Sequence, residues 1–526
     1  MKKSYIIIIG LVLLGGVFWQ WNSSSTKLSN TPVKNASVAS ESQVIDLKDG
    51  ETYDIVASIV KKVVAGQEIK MLAYNGSVPG PVLRVTKDSE ITINFTNNTD
   101  IPTTIHSHGV RLDNKYDGVP DVTQKVVGIG GSFSYKIKFP DEGVYWYHPH
   151  FREDYAQELG LYGNYIVTSK DPNYWLPVNK EIPLMVDDIL MDQSPSGQLT
   201  IVPFGAVANY TLMGRYGNIF LVNGVVDNKV SIRQGEVVRF YITNTANTRV
   251  FRLSIPGVKL KLVGGDNGKY ERETFVDEII ISPSERYVID AFFERAGMYK
   301  LVHNSKEEIN NITTFEVSSE NVDKSYKTEF QTLRTNKDTI ASIDPLRQYF
   351  DKPVDKSLTL TIDMSGMGMS GGMHMMPDGT MMSNSGMMMG GNDKEKIEWE
   401  DNMQMMNSMS TSKSVKWKIV DNDTKKANEK IDWKFKKGDK VKIKIFNDPK
   451  SIHPMQHPFH IHGQKFLVLS TNGVKNTNLV WKDTTLIQKG DTVEILVDME
   501  NPGMWMAHCH IAEHLESGMM FMFEVK

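Results

Sequence analysis

Three stretches of this chain follow one pattern at long period, and that repetition limits the fold more than any other feature. K-D-S-E-I-T-I-N-F-T-N ends at Asn97, Q-G-E-V-V-R-F-Y-I-T-N at Asn244 and K-G-D-K-V-K-I-K-I-F-N at Asn447. Each is a polar turn followed by alternating residues, the period of a half-buried strand. A second trio agrees: F-P-D-E-G-V-Y-W-Y-H-P-H, F-E-R-A-G-M-Y-K-L-V-H-N and M-E-N-P-G-M-W-M-A-H-C-H share a glycine at Gly143, Gly297 and Gly503. Both trios give a second interval longer than the first. The tract Met364 to Met409, with fifteen of the 28 methionines set among glycine, serine and asparagine, accounts for the excess. Strand patterning also dominates R-Y-V-I-D-A-F-F, and no long helical period is evident. The expectation is an all-β chain of three β-sandwich domains at 44–170, 171–335 and 336–526, the last carrying the insert 364–409.

Residues 1–43 read differently. M-K-K-S precedes an apolar run from Tyr5 to Trp19, a basic and then a hydrophobic region typical of an export signal. The run is short of the ~20 apolar residues of a spanning helix. Export is expected, with the segment either cleaved (Ser37 and Ala39 fit a small-residue site) or kept as a membrane anchor; a periplasmic or other extracytoplasmic location follows. The single cysteine excludes an intrachain disulfide framework. A net charge of −4 gives no support for a nucleic-acid partner.

Ten of the 13 histidines fall in four clusters. They are His106 and His108 in H-S-H-G, His148 and His150 in Y-H-P-H, His457, His460 and His462 in H-P-F-H-I-H-G, and His508, His510 and His514 in H-C-H-I-A-E-H. All lie in copies one and three. Copy two has Ser254-Ile255-Pro256-Gly257 where H-S-H-G would fall, and Val302 and Asn304 in place of an H-x-H pair. A metal site between the first and third domains is expected, with the second as a spacer. On a strand, residues i and i+2 share a face, roughly 6.6 Å apart. That spacing suits reaching two neighbouring ions, and four such pairs suit about three metals. Imidazole alone would serve zinc, copper, iron or nickel. Cys509 narrows the choice. It points away from its flanking histidines and so belongs to a second site, where His457, His514 and Met519 complete one thiolate, two imidazoles and a weak thioether, the blue-copper set.

These motifs, in this order and at these separations, resemble the four copper motifs of the three-domain multicopper oxidases, over about residue 44 to the C-terminus. The resemblance implies three cupredoxin-like Greek-key domains and four copper ions. It implies a type 1 copper on His457, Cys509, His514 and Met519 and a type 2 copper on His106 and His460. It implies a type 3 pair on His108, His148 and His510, and on His150, His462 and His508. It also implies one-electron oxidation of a donor at the blue site and reduction of O2 to water at the three-ion cluster, in a monomer. Asp117, in K-Y-D-G-V-P, resembles the family's proton-feeding acid, although a turn aspartate before Gly118 reads the same way. The family's second carboxylate position is Leu515 here, and Glu516 is the candidate substitute.

The donor is read from the methionines. Thioethers are soft ligands suited to Cu(I), and those of 364–409 have no core-like period. His453 and Met455, in S-I-H-P-M-Q-H, precede His457 and are placed to hold a substrate ion. The family's cuprous oxidases resemble this at Met455 but more usually carry an acid at the position of His453, which would equally cap a turn before Pro454. The leading expectation is a cuprous oxidase serving copper tolerance. The alternatives are a laccase-like oxidase of phenols or other donors, and a copper-storing or delivering protein using the methionine tract.

Overall fold

The computed structural model describes residues 35–194, 197–305, 308–367, 373–375, 381–383 and 395–526. The putting together of strands repeats the sequence trios. In each third of the chain one sheet of five strands holds a glycine-led strand at an equivalent place. The sheets contain Gly143–His148, Gly297–Asn304 and Gly503–Cys509, beside His106–His108, Phe251–Ser254 and His457–Ile461 respectively. A second sheet of five or six strands packs against each. Three cupredoxin-like β-sandwiches result. We call the four strands that carry histidine pairs β1 (His106–His108), β2 (Gly143–His148), β3 (His457–Ile461) and β4 (Gly503–Cys509).

The repeated residues do the same work three times. Asn97, Asn244 and Asn447 are buried at the ends of equivalent strands, and each side-chain amide donates to two carbonyls of the loop beyond. Asn97 reaches Ile101 at 2.8 Å and Val127 at 2.9 Å. Asn244 reaches Arg249 at 2.8 Å and Ile281 at 3.0 Å. Asn447 reaches Met455 at 2.7 Å and Ile487 at 3.1 Å, so it ties down the turn that leads into His457. Replacing Asn447 with alanine leaves two buried carbonyls unpaired and is expected to cost about 1–3 kcal/mol in unfolding free energy. Denaturant titration checks this; unchanged stability would mean that water takes over both carbonyls. The glycines share a backbone at φ 155°, 147° and 144°. A side chain at Gly143 would strike the Asp266 carbonyl, and one at Gly503 would strike Asn114, so close packing between domains adds to the conformational reason.

The leader 1–34 lies outside the described residues. The stretch read as linker does not stay outside the fold: Ser37–Val38 pairs in parallel with Val60–Lys61 of the first sheet, so the first domain begins before residue 44. Among the described residues no helix is long and apolar enough to cross a membrane. Residues 327–350 form short helical segments that no period announced.

The methionine tract divides likewise. Met364 is fully buried in the core. The helix Gln404–Met409 packs on the middle domain, where Asn407 Oδ1 accepts from Met213 N at 3.0 Å and its amide donates to the Gly214 carbonyl at 2.9 Å. The ends of 364–409 are therefore structural rather than a free tract, because local hydrogen bonds and apolar burial anchor them. Within it, 368–372, 376–380 and 384–394 lie outside the described residues.

Candidate metal centres

Strands β1 and β2 pair antiparallel with His106 opposite His148, and β3 and β4 pair with His460 opposite His508 and Phe459 opposite Cys509. Pleating sends alternate side chains to opposite faces. The H-x-H histidines 106/108, 148/150, 460/462 and 508/510 of the two domains thus meet in one buried cluster, while Cys509 faces its own domain's core.

Hydrogen bonds around the cluster turn the rings so that lone pairs face inward. His106 Nδ1 donates to the Asp117 carbonyl at 2.7 Å, His148 Nδ1 to Pro149 at 2.8 Å, His460 Nδ1 to Asp483 at 2.9 Å and His508 Nδ1 to Cys509 at 2.9 Å. His462 Nδ1 donates to Asp117 Oδ2 at 2.9 Å. Nε2 of His106, His148, His150 and His460 is then left buried with no protein partner, as are both ring nitrogens of His510. Nε2 of His462 and Nε2 of His508 face each other at 3.0 Å. His108 is reversed: Nε2 lies 3.1 Å from Asp483 Oδ1, and Nδ1 is the orphan. So many unpartnered buried nitrogens would be costly, and metal ligation is the chemistry that satisfies them. Burial, with mutual crowding of the rings, holds the imidazoles of His108, His148, His150, His460 and His508 well below their ordinary range; His462 falls to about 4 and His510 to about 3. These seven are neutral near pH 7, the state a metal requires.

Ligating atoms gather within 4.8 Å of one another in sets that match the expected groups: His108, His148 and His510; His150, His462 and His508; and His457, Cys509 and His514. His106 and His460 also gather, with His108 in reach of both groups. Cys509 Sγ lies 3.5 Å from His457 Nδ1 and 3.8 Å from His514 Nδ1. Burial pushes its thiol up, so a metal entering here would displace the proton. Met519 is fully buried in the same core, and its carbonyl accepts from Cys509 N at 3.1 Å. Soft sulfur with two imidazoles fits copper, and the neutral imidazole cluster fits it equally.

Asp117 is in place: burial alone would raise its pKa, but His462 and His106 beside it hold the carboxyl below the usual range. Glu516 faces the helix Glu153–Ala156, accepting from Glu153 N at 3.3 Å, while its neighbour Leu515 packs against Val119 and Met506. Glu153 itself stands by the cluster, with Oε1 3.3 Å from His150 Nδ1. Nothing in F-R-E-D-Y signalled it beyond its nearness to His150.

At the donor side, His453 is buried and its Nε2 lies 2.8 Å from Met213 Sδ, a residue of the middle domain that sequence reasoning missed. Met455 and Met213 are both fully buried in the core that holds Cys509, and Met213 is the thioether seen against His453. Burial lowers His453 to about 4. Trp417 lies between this pair and the sulfur site. Its ring stacks on His514 at 4.1 Å, meets His457 edge-on at 4.8 Å and lies 6.4 Å from His453. On the surface nearby, Met405 and Met409 are 79% and 70% exposed on one helix face. Met405 borders a cavity of about 490 Å³ with Asp192, Glu400 and Asp401.

Comparison with known proteins bears on these sites. Three family models described as multicopper oxidase match residues 57–172, 190–321 and 397–526. The chain is 28% identical over 468 residues to a multicopper oxidase of Staphylococcus aureus, covering 86% of this chain and 83% of that protein. It is 24% identical to copper resistance protein A of Escherichia coli, covering 89% and 92%. A solved multicopper oxidase from Campylobacter jejuni, described as a metallo-oxidase, superposes with a TM-score of 0.66 at 24% identity over 95% of this chain and 99% of that one.

Proposed function

This chain belongs to the multicopper oxidase family, and from that premise we propose that it oxidises Cu(I) outside the cytoplasm with O2 as acceptor. The observation that carries the choice of donor is the His453–Met213 pair, an imidazole and a soft thioether 2.8 Å apart with Trp417 between them and both imidazoles of the sulfur site. A phenol needs an open face on a copper-ligating histidine; His457 is 1% exposed. Thioethers on the outer face, Met405 and Met409, would collect the ion, and the carboxylates of the adjoining cavity would favour a cation.

We assign His457, Cys509, His514 and Met519 to the type 1 copper and His106 and His460 to the type 2 copper. His108, His148 and His510, with His150, His462 and His508, are assigned to the type 3 pair. Copper bound there supplies one-electron exchange at the sulfur site and four-electron reduction of O2 at the cluster. The residues supply the rest. His453 and Met213 hold the donor ion; Trp417 fills the gap to His457 and His514 with packed aromatic atoms. The Cys509 backbone joins the sulfur to His508 and His510, and the hydrogen bond from His508 Nδ1 to the Cys509 carbonyl adds a second link. Asp117 orients His462 and His106 beside the cluster. The balance is four Cu(I) oxidised to Cu(II) as O2 and four protons become two waters.

Oxygen uptake with Cu(I) and with a phenolic donor tests this reading. Met213→Leu and His453→Gln are expected to lower kcat/KM for Cu(I) by about 10–100-fold, the loss typical when a metal's supporting contact goes, and to leave phenol turnover alone. Removal of 384–394 spares the packed ends of the methionine tract and separates its role from folding. A phenol oxidised faster than Cu(I) by the intact protein would favour the laccase-like reading. Full copper loading with no oxygen uptake from either donor would favour storage.

A further inference from the structure

The middle domain has no histidine pairs, yet it reaches the cluster. Arg286 begins its strand Arg286–Phe292 and is completely buried. Its guanidinium touches all three domains. Nε donates to the Val144 carbonyl of the first at 2.8 Å, and Nη1 to its own domain's Ser284 carbonyl at 2.9 Å. Nη1 and Nη2 fork onto Asp483 of the third, at 2.7 Å to Oδ1 and 2.5 Å to Oδ2. Asn267, also from the middle domain, donates to Asp483 Oδ2 at 3.0 Å. Gly109 follows His108 at φ 80°, and a Cβ there would lie 2.3 Å from Asp483 Oδ2 and 2.8 Å from Arg286 Nη2, so only glycine lets β1 pass the pair.

Asp483 in turn grips two histidines. Its Oδ1 takes the Nε2 proton of His108 at 3.1 Å, and its carbonyl takes the Nδ1 proton of His460 at 2.9 Å. The next residue reinforces this: Thr484 Oγ1 lies 3.2 Å from His108 Nε2 and 3.1 Å from His460 Nδ1, and accepts from Ser284 Oγ at 3.2 Å. The two rings stack at 3.7 Å and 18°. This explains why His108 alone presents Nδ1 inward while His106, His148, His460, His462 and His508 present Nε2. A carboxylate accepts and cannot donate, so the nitrogen beside it must carry the proton. Asp483 is fully buried, and such a charge holds its place only when paired. The bidentate fork of Arg286 supplies both charge and orientation.

We propose that Arg286 is a positioning residue of the copper cluster: by holding Asp483 it sets the reversed tautomer of His108 and the pose of His460, and so fixes the type 2 position. The middle domain is then a structural part of the oxygen-reducing site rather than a spacer. The inference rests on the copper reading above.

The test uses the full-length protein and four variants: Arg286→Met, Arg286→Lys, Asp483→Asn and the double variant Arg286→Met with Asp483→Asn. Copper per chain is measured after dialysis against a chelator, with the type 2 EPR signal, the blue absorption and the melting temperature of the copper-free forms. Arg286→Met is expected to weaken retention of the type 2 copper by about 10–100-fold, with loss of its EPR signal and the blue absorption intact. Arg286→Lys, which keeps the charge but not the fork, recovers part. Asp483→Asn reproduces the loss, and the double variant is no worse than Asp483→Asn, as expected if Arg286 acts through that carboxylate. Unchanged copper content and an unchanged type 2 signal in Arg286→Met overturn the proposal. So does parallel loss of both signals with a fall in copper-free melting temperature, which marks general destabilisation. A wild-type protein that loads only the blue site overturns the copper-cluster reading itself, and this proposal with it.

Discussion

Cys509→Ser is expected to abolish the blue absorption and reduce turnover with every donor to background. Serine keeps the shape of the side chain, and a buried hydroxyl costs only about 1–3 kcal/mol in proteins, so the fold survives. What disappears is the soft ligand. Sγ lies 3.5 Å and 3.8 Å from the Nδ1 atoms of His457 and His514, and it is the only thiol in the chain. A hydroxyl oxygen is a hard donor that does not replace a thiolate for copper. The backbone from residue 509 to His508 and His510 stays intact but loses the sulfur that would join it to the metal. The loss should exceed the roughly 10–100-fold that follows removal of a group supporting a metal ligand. The histidine cluster should still load, giving three coppers in place of four with the type 2 EPR signal retained. Turnover within tenfold of wild type would show that electrons reach the cluster by another route.

Asp117→Asn should separate the two halves of the reaction. Asp117 Oδ2 accepts from His462 Nδ1 at 2.9 Å, Oδ1 lies 3.2 Å from His106 Nδ1, and the backbone carbonyl accepts from His106 at 2.7 Å. An amide retains one acceptor and turns an N–H group toward a neighbour that is itself a donor. It also removes the negative charge from between two imidazoles. Oxygen reduction is expected to slow by about 10–100-fold, as for other groups that orient metal ligands. Reduction of the blue site without oxygen should proceed at the wild-type rate, because His457, Cys509 and His514 are untouched. Stopped-flow absorption for the first half and oxygen uptake for the second would show the split. Equal slowing of both halves, or of neither, would remove Asp117 from the oxygen-reducing step.

The histidine pairs were legible because their placement is a local property. Alternation on a strand sends 508 and 510 one way and 509 the other whatever the surroundings, and the β4 register agrees. The repeated asparagines were legible for a similar reason, since each ties down a loop of its own domain. Glu153 was not legible because its place beside His150 and against Glu516 depends on how two short helices of different domains dock.

From the amino-acid order alone came the three sandwiches, the two copies that keep their histidines and the sulfur set, consequences of strand periodicity and donor chemistry, while the division of the remaining imidazoles into sets came from the family resemblance. Tertiary structure alone joined Met213 to His453, put Trp417 against His457 and His514, and brought Arg286 onto Asp483. Met213 and Arg286 sit in a different domain from their partners and Trp417 on the opposite sheet of its own domain from His457, and how domains and sheets dock depends on shape and charge matched across whole surfaces, which leaves no pattern in any short stretch of chain.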